Sequence, residues 1–158
     1  KYPKNIGAFK EALGVPDIVQ EGTDITIVSY GSTFNLCQVA AQQLAQLGIA
    51  VELIDVQTLI PFDINHLISD SIKKTNRLLI VDEDVSSGAT GYILDKIMVE
   101  QECFYHLDSA PHTMSSKDHR PAYGSDGDYF SKPNIDDIVE KVYAIISESD
   151  PSTFPPLY

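Results

Sequence analysis

The stretch ITIVSYGSTFNLCQVAAQQLAQLGIAVELIDV, Ile25 to Val56, decides the fold. It opens on a short β-branched apolar run, Ile25 to Tyr30, ended by Gly31, and closes on a second run, Val51 to Val56. Between them Leu36, Ala40, Leu44 and Leu47 recur at the spacing of one helical face. Ser32 or Thr33 is placed to cap this helix, and Gly48 supplies its left-handed stop. Short apolar strands alternating with amphipathic helices are the pattern of a mostly parallel sheet covered on both faces.

The same alternation continues along the chain. Pro61 and a capping Asp63 are expected to open a helix that turns Ile64, Leu67, Ile68 and Ile72 inward, with Lys73 and Lys74 at its negative end. Leu78 to Val81 reads as a third long strand. A helix over 92–101, with Ile93, Leu94, Ile97 and Met98 apolar, is expected to lead to a shorter strand near Phe104 to Asp108. The last helix begins at Asn134, carries Asp136 and Asp137 in its first turn, and buries Ile138, Val142 and Ile145 or Ile146.

Composition narrows the function classes. The 158 residues suit one domain with a single core, and 43% apolar with 22% charged residues is a globular rather than a disordered balance. A formal charge of -12 argues against nucleic acid or an anionic membrane as partner, because both are bound through positive charge. A basic partner fits better. No apolar run is long enough to span a bilayer and no signal peptide is recognisable, so the expected compartment is cytoplasmic. Cys37 and Cys103 belong to no metal-spaced pair and read as two buried free thiols. Residues 1–16, mixing Pro, Gly and Lys without a core period, read as a linker from a preceding domain, 17–148 as the folded domain, and 149–158 as an extended Pro-rich tail.

Several stretches invite a chemical reading. Arg77 to Gly88, RLLIVDEDVSSG, carries Asp82, Glu83 and Asp84 off the end of an apolar strand, where ligands bind in open sheets. A phosphoacceptor reading fails on context, because a receiver domain places its acidic pair and its acceptor after different strands. A strand surfacing into solvent explains the acids better, with Asp82 and Asp84 solvated. Tyr30 to Thr33 lies at a strand-to-helix turn but lacks both the three-glycine dinucleotide pattern and the P-loop lysine. Gly124 to Asp128 resembles a calcium loop and the start of a thiamine diphosphate motif. Its ligand spacing is wrong for calcium, and the Asn that completes the magnesium site is absent. His66, His106, His112 and His119 show no zinc spacing, and His112 and His119 read as surface-loop residues without a neighbouring nucleophile. The residues thus assemble no catalytic, cofactor-binding or metal site.

A resemblance adds to this reading. It rests on Glu21, Gly22, Asp24, Thr26, Val28, Tyr30 and Gly31, then Glu52, Ile54, Asp55, Thr58, Leu59, Pro61 and Asp63. It continues through Lys73 to Thr75, Arg77 to Leu79, Val81 and Glu83, and extends to the later RPAYGSDGDYFSKPN. Together these motifs resemble the C-terminal domain of the transketolase family. They are most similar to the version that ends the beta subunit, or a fused alpha-beta chain, of the decarboxylase component of a branched-chain or related 2-oxoacid dehydrogenase. Familiar relatives carry GFGAEI after the Glu and commonly a Val-Arg or Lys-Arg pair after Ala-Pro. Here SSGATGYILD keeps only Gly88 and Gly91, and His112 and Thr113 follow Pro111.

The resemblance implies a three-layer α/β/α fold whose five-stranded sheet is mostly parallel, with a first strand, Asp17 to Gln20, antiparallel at or near an edge. It implies a Rossmann-like assembly domain of a multienzyme complex, with thiamine diphosphate and magnesium held by other domains of the complete enzyme and none here. Glu83 falls on a structural family position. The implied partners are the remaining domains or subunits of the same dehydrogenase, further copies in a homo-oligomer, and the basic binding domain of an acyltransferase core, for which Asp136, Asp137 and Glu140 are the docking candidates. An isolated domain of this kind is expected to be inactive and to expose an apolar face. The rival reading from another class is a free-standing flavodoxin-like signalling or ligand-binding domain.

Overall fold

In the computed structural model, residues 4–8, 10–120, 123–124 and 126–157 are described. Parts of the expected linker and of the RPAYGSDGD loop therefore lie outside the described residues. The sheet is built of β1 (Asp17–Gln20), β2 (Ile25–Ser29), β3 (Val51–Asp55), β4 (Leu78–Val81) and β5 (His112–Met114), in the spatial order β1-β3-β2-β4-β5. β1 pairs antiparallel with β3 at one edge, while β2 runs parallel to both β3 and β4, and β4 parallel to β5. The α/β sheet with an antiparallel first strand is the one the resemblance implied.

Alternation along the central strands assigns each side chain to a layer. Ile25, Ile27, Val51, Leu53, Leu79 and Val81 face α1 (Gly31–Gln46) and α5 (Ile135–Ser149), packing with Phe34, Cys37, Leu44, Ile138, Val142 and Ile145. Val28, Ile54, Leu78 and Ile80 face the other way, onto Ile68 and Ile72 of α2 (Leu67–Thr75) and Ile93 of α3 (Ala89–Asp95). Three layers follow from strands buried on both faces. Both cysteines are free and buried, one in each layer, and burial pushes the Cys37 thiol up to about 12.

The structure corrects several local expectations. The α1 N-cap position is Tyr30 with no side-chain cap; Gly31 at φ 62 makes the turn, and Thr33 is buried instead of capping. α2 starts at Leu67, later than Pro61 suggested, and Ile64 is 56% exposed rather than inward. α3 begins at Ala89 and passes into a π-helical turn, Lys96–Glu100. The strand expected near Phe104 is a 3-10 turn, Cys103–His106, with Phe104 and Tyr105 exposed. The true fifth strand, His112–Met114, has no apolar run of its own; its register on Leu79, Ile80 and Val81 makes it a strand. After α5 the chain turns at Pro151, and Phe154 folds back edge-on against Tyr143 with ring centroids 6.0 Å apart.

Candidate functional site

At the carboxyl ends of β2 and β4 the acidic residues meet partners from three other segments. Asp82 is buried, not solvated: its carboxylate accepts the Tyr30 hydroxyl at 2.8 Å and the Glu83 N–H at 2.7 Å. Burial, together with that hydrogen bond to Asp82, pushes the Tyr30 phenol well above its ordinary value, so it stays a donor. Glu83 accepts the Ser32 hydroxyl at 2.7 Å on one oxygen and the Lys132 ammonium at 3.0 Å on the other. Those two contacts hold its carboxyl below the usual carboxylate range. Ser116 closes the knot by donating its hydroxyl to the Glu83 carbonyl and its N–H to the Asp84 carbonyl. Asp84 stays exposed and accepts the N–H of Val85 at 2.8 Å. The arrangement ties α1, β4 and the segment after α4 (Gly127–Ser131) together.

A second network lies at the opposite end of the sheet, beside the edge strand. Glu52, inside β3 and 1% exposed, accepts the Gly22 N–H at 2.8 Å, the Ser71 hydroxyl at 2.7 Å and the Lys74 ammonium at 2.5 Å. Lys74 also reaches Glu21 at 2.8 Å. Gly22 is required here because a Cβ would stand 2.2 Å from the Val51 carbonyl carbon. The sequence carried a signal for this site, a charge inside an apolar strand, which a strand-end reading passes over. Asp63 is likewise buried, its carboxylate accepting the N–H groups of Leu67 and Ile68 at 2.8 and 2.9 Å and the Gln101 amide at 3.0 Å.

The docking candidates are exposed on the first turns of α5. Asp136 accepts the Tyr129 hydroxyl at 2.6 Å, and Asp137 accepts the Asn134 amide at 2.7 Å while Asn134 caps the helix. His112 lies on β5, half-buried, rather than in a loop, and burial with the nearby Lys141 charge lowers its pKa. His119 is exposed and stacks on Phe130 at 5.8 Å.

Gly127 onward coils into α4, the Asp128 carboxylate faces Lys132 at 3.7 Å, and Ser125 lies outside the described residues. Among the described residues no three His, Cys, Asp or Glu side chains are grouped to hold a metal ion.

Comparison with known proteins identifies relatives. The family model described as "Transketolase, C-terminal domain" matches residues 14–136. The pyruvate dehydrogenase E1 component subunit beta of Rhizobium meliloti is 34% identical over 138 residues, covering 87% of this chain and 29% of that protein. The mitochondrial 2-oxoisovalerate dehydrogenase subunit beta of Chaetomium thermophilum is 35% identical over 104 residues, 65% of this chain and 22% of that protein. The chain therefore spans less than a third of either relative's length. Among solved structures, "Split gene transketolase, inactive beta4 tetramer" superposes with a TM-score of 0.69 at 21% identity, over 89% of this chain and 45% of that one. At that identity the superposition establishes the shared fold.

Proposed function

This chain belongs to the transketolase C-terminal domain family, and we propose that it is the assembly domain of a thiamine-diphosphate-dependent 2-oxoacid dehydrogenase. The complete enzyme would oxidatively decarboxylate a 2-oxoacid and hand the acyl group to a lipoyl carrier. The observation that carries this reading is the similarity to dehydrogenase beta subunits over most of the chain. The geometry is in keeping with it: the motif residues Gly22, Glu52, Asp63 and Lys74 have structural tasks, joining β1, β3 and α2. Thiamine diphosphate and magnesium belong, on this proposal, to other domains, and no step of the reaction is assigned to residues of this chain.

The exposed side chains also favour an assembled role. Leu13, Ile60 and Ile64 are 71%, 83% and 56% exposed, and the Ile64 N–H donates to the neighbouring Gly14 carbonyl, so the three flank one corner of the fold. An apolar corner of this kind suits contact with the other domains or subunits of the enzyme, including a second copy. Asp136, Asp137 and Glu140 are proposed to face the basic binding domain of the acyltransferase core. Among the described residues no helix is long and apolar enough to cross a membrane. A cytoplasmic location is part of the proposal.

The test is reconstitution. The complete polypeptide, with any partner subunit, should oxidise a 2-oxoacid in the presence of lipoyl acceptor and cofactor. The 158-residue chain alone should give no heat of binding with thiamine diphosphate and magnesium. Saturable micromolar binding of cofactor by the isolated chain would overturn the division of roles.

A further inference from the structure

Beyond α5 the tail folds back along the helix and walls a groove of about 570 Å³ on its outer side. The wall is fixed by short-range ties. Asp150 accepts the Ser152 hydroxyl at 2.7 Å and the Thr153 N–H at 3.1 Å, the Phe154 ring stands edge-on to Tyr143, and the Tyr143 hydroxyl donates to the Pro155 carbonyl at 3.1 Å. Floor and wall are largely apolar, with Tyr143 and Ala144 from α5 and Pro151, Pro156 and Leu157 from the tail. A preformed apolar cleft of this size is the usual form of a small-molecule site.

The polar members of the groove set the chemistry of its ligand. Its charged lining among the described residues is Glu140 and Glu148, while Lys141 lines the neighbouring hollow over β5 instead. Glu140, Ala144 and Glu148 recur at every fourth residue of α5, so they form one stripe, and the two glutamates lie about 12 Å apart along the helix axis. Ser147, 7% exposed, adds a hydroxyl to the floor, whereas that of Tyr143 is already spent on Pro155. The groove thus offers an anionic acceptor at each end of an apolar run.

We propose that this groove binds a linear aliphatic polyamine, with its terminal ammonium groups on Glu140 and Glu148 and its methylene run against Ala144, Pro156 and Leu157. Charge and shape both select such a ligand. An extended triamine such as spermidine has the length of the Glu140–Glu148 spacing, whereas a compact divalent metal ion cannot reach both carboxylates. A chain of 23 acidic and 11 basic residues attracts any polycation, but apolar surface between two carboxylates favours one that carries methylenes over one that carries charge alone. The inference does not rest on the dehydrogenase reading, although Glu140 is common to both.

Spermidine is the probe. In a calorimetric titration at constant ionic strength it should bind the chain saturably with a single equivalent, and magnesium ion should not displace it. Glu148→Gln should weaken that binding about fivefold, as for an exposed ion pair. Glu11→Gln, which removes the same charge from an exposed position outside the groove, should leave it unchanged. Ala144→Lys, at an exposed helical position, should abolish binding without altering thermal unfolding. Heats that never saturate, displacement by magnesium, equal losses in Glu148→Gln and Glu11→Gln, or binding that survives Ala144→Lys would overturn the proposal.

Discussion

Glu52 shows how one residue can hold a sheet edge together. Burial by itself would raise its pKa, but the donors from Lys74, Ser71 and Gly22 outweigh that effect and hold the carboxyl below its ordinary value. A folded pKa below the unfolded one means that the charged form contributes stability fully above the unfolded value of about 4.3. That contribution is lost as pH falls through the lower folded value. Glu52→Gln should therefore destabilise the chain at pH 7 by about 2–3 kcal/mol, less than for a wholly buried pair because Lys74 is partly solvated and keeps Glu21. Urea denaturation across pH measures both effects: the variant should also show a flatter acid limb than the parent chain. Equal stability at pH 7 would mean that the network is dispensable.

The second helix, α2, illustrates how an element's start is set from outside it. Its N-cap position, His66, is left-handed at φ 56 and makes no side-chain cap, so the first turn depends on Asp63, three residues earlier in the chain and itself at φ 33. The Asp63 carboxylate sits at the positive end of the helix and satisfies two otherwise unpaired N–H groups. Asp63→Ala should cost about 1–2 kcal/mol, the usual loss for a cap. Amide exchange should accelerate selectively at Leu67 and Ile68. Uniform exchange changes across the domain, with those two amides no faster than the rest, would assign Asp63 a packing role instead. The capping function of Asp63 was legible from its residue type, but the intervening turn was not, because nothing local fixes how far a cap stands from its helix.

For the whole molecule, the excess of acid is the property most open to test, since its effect is on association rather than on the fold. If Asp136, Asp137 and Glu140 face a basic binding domain, the complete enzyme should associate with that domain faster at low salt. Changing the three to Asn or Gln should lower the rate and flatten its salt dependence. A rate indifferent to both would leave α5 a solvated face. What the sequence alone determined were the features carried by local pattern: three apolar strands, the inward Ala40 and Leu44 of α1 and Ile138 and Val142 of α5, the stops at Gly31 and Gly48, the cap at Asn134, and through them the layered α/β fold. Periodicity and capping are short-range, so they survive in the chain as written. Only the tertiary structure decided that His112 to Met114 is a strand and that Asp82 is buried against Tyr30. Each depends on segments distant in sequence being brought together by the packed core, and burial or pairing of that kind has no signature in the spacing of neighbours along the chain.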